Sequence, residues 1–221
     1  MSAIAYIEEE EIRVRAVIFL YGKHAGDALA SDIAAEINRM WNQPLVVIPV
    51  RDRYLKVRFR VEAEPLTVEQ ARQKMRENRS HEVNFVRVED ANILERSMMG
   101  RGLGQNSGHW LITDELGQST TAAHEFGHAL GLPHPDRLDY RGTGYPPIMA
   151  PRGTLVDPVY QWNPLAEPGA YGGTMRPVHR RVRQEEVMAV LARAVFTGDN
   201  FIIGEISNLY YDEMGNTRGE L

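Results

Sequence analysis

The chain has no cysteine in its 221 residues. This absence excludes a disulfide framework, and it also excludes a structural zinc site closed by thiolates. No run approaches the roughly eighteen uninterrupted apolar residues that span a bilayer, so we expect no membrane span. Basic residues are not in excess either, since 25 of them stand against 30 acidic residues and leave a net charge of -5. That balance argues against a nucleic-acid partner.

The opening residues also lack the pattern of a secretory leader. MSAIAYIEEEEIRVRA has no basic segment followed by an apolar run and a small-residue cleavage site. The composition, 43% hydrophobic and 25% charged, is that of an ordinary folded protein, and the length suits one core. The location stays open, and we favour export by a route that needs no such leader, or a leader missing from this chain, over the cytoplasm.

The residues that carry chemistry form the segment HEFGHALGLPH. His124 and His128 are four residues apart, so on a helix both imidazoles lie on one face and can bind one metal ion. Glu125 follows the first of them, and its carboxylate then points to the open side of the metal as a general base for a metal-bound water. Gly131 can end the helix in the left-handed conformation, which returns His134 to the same ion.

This set of ligands predicts a catalytic metal ion. Three neutral nitrogens with a fourth position left to water are typical of catalytic zinc, whereas structural zinc has four protein ligands. We therefore expect one catalytic Zn²⁺ held by His124, His128 and His134, with Glu125 as the catalytic residue. The five fixed positions make a chance match rare.

The segment resembles the extended zinc signature of the metzincin metallopeptidases, HExxHxxGxxH, at every fixed position. The resemblance implies a methionine in a tight turn beneath the zinc. Met149 meets this requirement in TGYPPIMAPRG, where glycines and prolines bend the chain on both sides. The methionine would form a hydrophobic floor and would not bind the metal. Lacking cysteine, the chain cannot use the cysteine-based zinc block of some family propeptides.

The details within the family are mixed. Pro135 directly after the third histidine resembles the serralysin group, whereas Asp136 comes one residue too late for the aspartate of adamalysins. The IMAP turn is closer to matrix metalloproteinases. Astacins and serralysins have a tyrosine that can reach the metal where this chain has Pro151, so we expect no tyrosine ligand there. The specific resemblance covers residues 119–152 and indicates the clan without a subfamily.

The hydrophobic pattern and the resemblance together predict an α+β fold of the metzincin type. We expect a twisted mixed β-sheet, an active-site helix, a backing helix and a smaller irregular C-terminal lobe closed by a helix. The predicted strands are 12–20, 45–50, 54–63, 83–88 and 109–113, with a further strand that begins at 200 and leads into a frayed tail. The predicted helices are 26–41, 67–78 with a capping box, one that starts near 119, and 179–196.

The resemblance also implies a single metallopeptidase domain over residues 1–221. Its upper lobe would cover about 1–134, its lower lobe about 135–221, and the cleft would lie between them. Strand 109–113 would be the sheet edge where a peptide pairs, although a plain edge strand fits these residues equally well. Residues 97–108, with four glycines, predict a flexible loop.

Several side chains have two interpretations, and the structural one is favoured for each. His109 is expected to be a structural or surface residue, and the apolar residues Leu155, Val156, Tyr160 and Trp162 are expected to be core residues more than the wall of a specificity pocket. The basic cluster Arg180, Arg181 and Arg183 is expected to be a solvated face and not a binding site. The acidic run Glu8 to Glu11 is expected to be a solvated leader. The hydroxyls of Ser119, Thr120 and Thr121 are expected to cap the active-site helix. His24, His81 and His179 have no partners at ligand spacing, so a second zinc is not expected. Calcium is suggested by the resemblance alone, without a DxDxDG-type loop.

The function that follows is a zinc-dependent endopeptidase, acting on a protein or peptide substrate. Glu125 would serve as the general base for the zinc-bound water. One alternative is a toxin-like effector protease delivered into competing cells. The other is a proteolytically silent, zinc-stabilised binding module, against which Glu125 weighs because a structural site has no use for its carboxylate. The residues do not indicate an oligomeric state.

Overall fold

The computed structural model describes residues 2–198 and 200–217. Over these residues the chain is a mixed α and β protein with a nine-stranded mixed sheet and four α-helices, in keeping with the predicted α+β class. The strands are β1 (Ala3–Glu8), β2 (Glu11–Tyr21), β3 (Val47–Val50), β4 (Arg53–Pro65), β5 (Val83–Glu89), β6 (Met98–Met99), β7 (Ser107–Leu111), β8 (Val195–Phe196) and β9 (Phe201–Ile203). The helices are α1 (Asp27–Asn42), α2 (Val68–Glu77), α3 (Thr121–Ala129) and α4 (Gln184–Ala192).

Strand β2 is the centre of the sheet. It pairs in parallel with β4 from Glu11 to Leu20 on one edge. On the other edge its first half pairs antiparallel with β1, and Val17 to Tyr21 pair in parallel with β5. Beyond β5 lie the parallel strand β7 and then the antiparallel strand β6, whereas β9 and β8 extend the sheet beyond β1, and β3 pairs with β4.

The two faces of the sheet have separate hydrophobic cores. Ile18 and Leu20 of β2 point to the larger core, which α1 and α3 cover, whereas Phe19 and Tyr21 point to the smaller core beneath α2. The alternation follows from the pleat, because successive side chains in a strand lie on opposite faces. Helix α3, which carries His124 and His128, is thereby packed on the same face as helix α1.

The acidic run Glu8 to Glu11 belongs to the sheet and is not a segment that precedes it. Ala3–Glu8 forms β1, and Glu9 adopts a left-handed conformation in the turn to β2. Ala3 and Ala5 are fully buried against the sheet, but alternating alanines give only a weak strand signal in the sequence. The carboxylates from Glu8 to Glu10 are exposed at the tip of the hairpin, so their solvation was predicted and their place in the sheet was not.

The segment predicted as an edge strand, 109–113, is also different. Strand β7 is Ser107–Leu111, every residue of it is buried, and it lies between β5 and β6. Residues Ile112–Asp114 form a 3₁₀ helix. The outermost strand at this end is β6, which falls inside the segment predicted as a flexible loop. The sequence did not predict β6 or the start of β7, because the glycines and small polar residues around them have low β propensity.

The remaining helices agree with the sequence in part. The capping box of α2 is confirmed, since Gln70 N donates to the Thr67 hydroxyl and Thr67 N donates to the Gln70 side chain. Helix α4 is shorter than the predicted 179–196, because Pro177–His179 forms a separate 3₁₀ turn and Val195–Phe196 pairs with β9.

The C-terminal segment begins with β9 as predicted, but it does not fray over its described residues. Tyr210 and Tyr211 are buried against the sheet. The buried guanidinium of Arg87 donates to the Tyr210 hydroxyl at 2.9 Å and to the Tyr211 carbonyl at 3.1 Å. A buried cation with several acceptors anchors the segment to β5. The predicted fraying also concerned 218–221, which lie outside the described residues.

Candidate metal centre

Helix α3 and the turn after it position three imidazoles. His124 and His128 lie one turn apart on α3, and Phe126 on another face packs into the larger core. Gly131 has φ of +90°, the left-handed conformation that the sequence predicts at the end of this helix. The chain then folds back and brings His134 to the other two rings.

The three rings face one another through their Nε2 atoms. Nε2 of His134 lies 3.0 Å from Nε2 of His128 and 3.2 Å from Nε2 of His124. Nδ1 of His124 donates to the Ile148 carbonyl at 2.7 Å, and Nδ1 of His128 donates to the Leu132 carbonyl at 2.8 Å. A carbonyl only accepts, so in a neutral ring the proton is on Nδ1 and the lone pair is on Nε2. The lone pairs of His124 and His128 therefore point into the space that the three rings share.

This donor set fits a metal ion. Neutral imidazole nitrogens bind zinc at about 2.0–2.1 Å, which places two nitrogens of a tetrahedral site about 3.3 Å apart. One ligand atom from each of the three histidines lies within 4.8 Å of the others. The carbonyl partners of Nδ1 are the outer contacts that commonly orient metal-binding histidines. The predicted cluster can thus hold a metal ion, and these contacts do not distinguish zinc from other ions that bind imidazole.

The protonation of the cluster also suits metal binding. Burial lowers the pKa of His128 to about 4, and it lowers the pKa of His124 well below its ordinary value. Burial, followed by the positive charge of Arg180, lowers the pKa of the more exposed His134. All three rings are therefore neutral at pH 7, which is the form that binds a metal.

Glu125 lies in the same cleft and is buried. Its side chain is 6% exposed, and Oε2 has no hydrogen-bond partner among the described residues. Burial raises the pKa of Glu125 to about 7, against the opposing effect of the nearby Arg180 guanidinium. A carboxyl group with a pKa near the working pH can both accept and return a proton.

Met149 is buried in the turn that follows the histidines. A side chain at Gly127 of α3 would collide with the thioether, so the methionine lies directly against the helix. Glu186 of α4 fixes this turn, because its carboxylate accepts the amide of Ile148 at 3.2 Å and the amide of Met149 at 2.9 Å. The carbonyl of Ile148 is also the acceptor for His124, so the turn and the metal cluster are connected.

The N-terminus of α3 is capped by the predicted hydroxyls only in part. Thr120 adopts a left-handed conformation, and its hydroxyl donates to the Pro177 carbonyl at 2.6 Å. The Ser119 hydroxyl accepts the Thr121 amide at 3.3 Å, whereas the amide of Ala123 donates to the buried carboxylate of Glu36 at 2.9 Å. Sequence reasoning missed Glu36, although a carboxylate on the apolar face of α1 is a signal that could have found it.

A cleft of about 810 Å³ opens in front of the histidines. Its walls come from the β6 region, from α3, from the chain after Met149 and from the C-terminal segment. The four apolar wall candidates do not line it: Val156 lies in a small separate core, Tyr160 packs against that core and Trp162 is exposed. The wall after the methionine is formed instead by Pro151 and Arg152.

The three arginines predicted as a solvated face do not share one environment. Arg180 is 3% exposed and lines the cleft beside the three histidines, so the prediction of a solvated side chain is wrong for this residue. Arg181 and Arg183 are partly buried and donate to backbone carbonyls. The three residues have the same side chain within four positions, so the sequence contained no signal that separated Arg180 from its neighbours.

The remaining histidines lie apart from the cluster. His109 is fully buried, its Nδ1 lies 3.1 Å from the Asn92 amide nitrogen, and its ring contacts Tyr211 edge-on. His24 lies 2.7 Å from Asp90, and the ring of His179 packs on Tyr160. His81 is partly buried elsewhere on the surface.

Comparison with known proteins adds no relative. No protein-family model matches the chain, and a search of the curated proteins returns no match. Among the described residues, no helix has both the length and the apolar character needed to cross a membrane.

Proposed function

We propose that the chain is a zinc-dependent endopeptidase of the metzincin type. His124, His128 and His134 would bind the zinc ion, and Glu125 would be the general base. The observation that carries the proposal is the convergence of three imidazole Nε2 atoms beside a buried carboxylate in an open cleft. The backing helix α1 and the buried methionine turn under α3 give further support, because the sequence resemblance implies both.

The donor set favours zinc among the metals that bind imidazole. Three neutral nitrogens without a thiolate, with one side open to a cleft, match the usual ligands of a catalytic zinc site. A zinc ion held there would supply Lewis acidity and would lower the pKa of a water molecule toward neutrality.

Glu125 would move the protons of the reaction. Its Oε2 is free of hydrogen bonds within the described part of the chain, so it can accept a proton from the attacking water. Its pKa of about 7 then allows the same carboxyl group to donate that proton to the nitrogen of the leaving amine.

The substrate would lie along β6. This strand is the last of the sheet at its end, and both Met98 and Met99 line the cleft. An extended peptide can pair with such an edge through its backbone groups, which places a scissile bond in front of the histidines. The pairing edge assigned from the sequence to 109–113 therefore moves to β6.

The decisive experiment is the variant Glu125→Gln. We expect normal zinc content and an unchanged thermal transition, with hydrolysis of a peptide library reduced by about 10²–10⁴-fold because the base is lost and the shape is kept. Zinc is measured by metal analysis and cleavage by mass spectrometry. A variant that cleaves as well as the parent would remove Glu125 from the mechanism. A parent that binds zinc and cleaves no peptide would favour the binding module.

A further inference from the structure

Arg180 is a buried cation without a direct partner. Its side chain is 3% exposed, and its Nε atom is buried without a hydrogen bond. Within residues 2–198 and 200–217, no hydrogen bond or ion pair under 4.0 Å is formed by its guanidinium. The neighbouring Arg181 donates to two backbone carbonyls, so the local chain does not lack acceptors for arginine. Burying a guanidinium without a partner lowers the stability of the fold, so we expect a ligand to supply the partner.

The guanidinium lies beside the proposed reaction centre. Besides burial, which is the larger cause, its positive charge lowers the pKa of each of the three histidines, and it opposes the effect of burial on the pKa of Glu125. Thr121 of α3 and Arg152 line the same cleft. An anionic group that entered the cleft would therefore meet Arg180 and the metal cluster together.

The charge of the cleft differs from that of the whole chain. Its described lining has four arginines and two carboxylates, although the chain has a net charge of -5: Arg96, Arg101, Arg152 and Arg180 stand against Asp114 and Glu125. Asp114 does not pair with Arg180, because its carboxylate forms an ion pair with Arg152 and accepts the Ser97 hydroxyl at 2.7 Å. A positive, partly enclosed cleft attracts anionic ligands, and a metal ion would add to this charge.

We infer that Arg180 is a specificity-determining residue that binds a carboxylate of the peptide substrate next to the scissile bond. A carboxylate accepts two parallel N–H bonds from the planar guanidinium, which supplies the missing partners. The carboxylate belongs either to an aspartate or glutamate side chain, as in endopeptidase cleavage, or to the C-terminus of the peptide, in which case the cleavage is that of a carboxypeptidase. The inference rests on the proposed peptidase function and names the class of substrate that the site selects.

A competing role is that Arg180 only balances the charge of Glu125. In that role, loss of the guanidinium raises the pKa of Glu125 further and shifts the pH profile for every substrate alike. In the inferred role, loss of the guanidinium weakens the binding of acidic peptides and leaves the binding of neutral peptides nearly unchanged. The two roles are therefore separated by the charge of the ligand.

The test measures binding by calorimetry to zinc-loaded Glu125→Gln protein, which does not turn over its ligand. The probes are blocked alanine-based pentapeptides with glutamate at each position in turn, the same peptides with glutamine, and a glutamine peptide with a free C-terminal carboxylate. We expect the acidic or the free-carboxylate peptides to bind at least about tenfold tighter than the neutral ones. Which of the two sets is preferred identifies the source of the carboxylate.

Further substitutions in the Glu125→Gln protein test whether Arg180 causes the preference for a carboxylate. Arg180→Gln is expected to abolish it, Arg180→Lys to retain part of it because the charge remains without the planar fork, and Arg181→Gln to preserve it. Arg180→Met provides an apolar replacement if the glutamine variant folds poorly, as judged by its thermal transition and zinc content. The inference is overturned if the parent background shows no preference, or if the preference survives in Arg180→Gln or Arg180→Met.

The result separates this inference from the proposed function. Cleavage of neutral peptides by the unmodified chain, without any carboxylate preference, would keep the peptidase and reject the role of Arg180. If the chain cleaves no peptide but still binds carboxylate peptides in a way that depends on Arg180, the peptidase function is rejected and carboxylate binding by Arg180 is kept.

Discussion

The three histidines differ in burial and in the backbone hydrogen bonds that orient their rings. His124 is 4% exposed and its Nδ1 donates to a carbonyl of the methionine turn, and His128 donates to the Leu132 carbonyl within its own turn. His134 is the most exposed of the three and lies in the chain beyond Gly131. The helix therefore presents two imidazoles with fixed orientation, and the position of the third depends on the loop after Gly131.

Removal of the third ligand should weaken metal binding without unfolding the chain. We expect His134→Ala to lower zinc affinity by more than about 100-fold, since loss of an outer hydrogen bond alone costs 10–100-fold. Zinc retained after dialysis against a mild chelator is the measurement. His179→Ala is the matched control, because that ring lies outside the cluster, and equal zinc retention in both variants would refute the assignment of His134.

At the scale of elements, α3 is held between α1 and the C-terminal part of the chain. The indole of Trp41 donates to the Ala123 carbonyl at 3.1 Å, and the carboxylate of Glu36 accepts the Ala123 amide. On the other side the Thr120 hydroxyl donates to the Pro177 carbonyl. Since α3 carries two of the candidate ligands and the proposed base, these contacts fix the orientation of the candidate site.

Glu36 gives a prediction at this scale. Burial raises its pKa, so the protonated form is favoured more in the folded chain than in the unfolded one. Its contribution to stability is therefore fully present below the unfolded pKa, near 4.5, and is lost as the pH rises through the folded pKa. The free energy of unfolding of the parent, relative to the permanently neutral Glu36→Gln, should fall as the pH rises from about 4.5 through the raised pKa of the folded chain.

Urea denaturation of both proteins across that pH range is the measurement. Glu36→Ala is the second variant, and it should be less stable than Glu36→Gln by about 1–3 kcal/mol because the Ala123 amide is left without its acceptor. A parent and a glutamine variant with parallel pH profiles would show that Glu36 does not change its protonation on folding.

At the scale of the whole molecule, the histidine cluster lies where distant parts of the chain meet. The cleft is lined by residues from the β6 region, from α3, from the chain around Arg152 and from the C-terminal segment that Arg87 anchors. A ligand that binds only the folded arrangement must therefore stabilise all of these contacts together.

Zinc should accordingly raise the thermal stability of the whole chain. At a free zinc concentration of 100 times its Kd, the expected gain is about 2.7 kcal/mol, or about 5–10 °C for a chain of this size. Calorimetry with and without zinc measures the shift, with the double variant His128→Ala/His134→Ala as the control. A shift of the same size in the double variant would mean that the metal acts elsewhere.

The sequence by itself determined the local features of this protein. The ligand set falls within eleven consecutive residues, and helical spacing followed by Gly131 is enough to bring His124 and His134 together. The capping box of α2 and most strand and helix positions also depend on neighbours within a few residues. Such features need only the short-range geometry of the backbone, which the order of side chains specifies.

Only the tertiary structure decided which distant residues complete the site. Glu36 meets Ala123 across 87 positions, and Arg180 lies 55 positions after Glu125. The place of β6 outside β7, and of β1 beside β2, likewise follows from how the sheet assembles. A buried charge and an exposed one have the same letter in a sequence. Burial distinguishes Arg180 from Arg181, because it depends on the packing of the entire chain around each side chain.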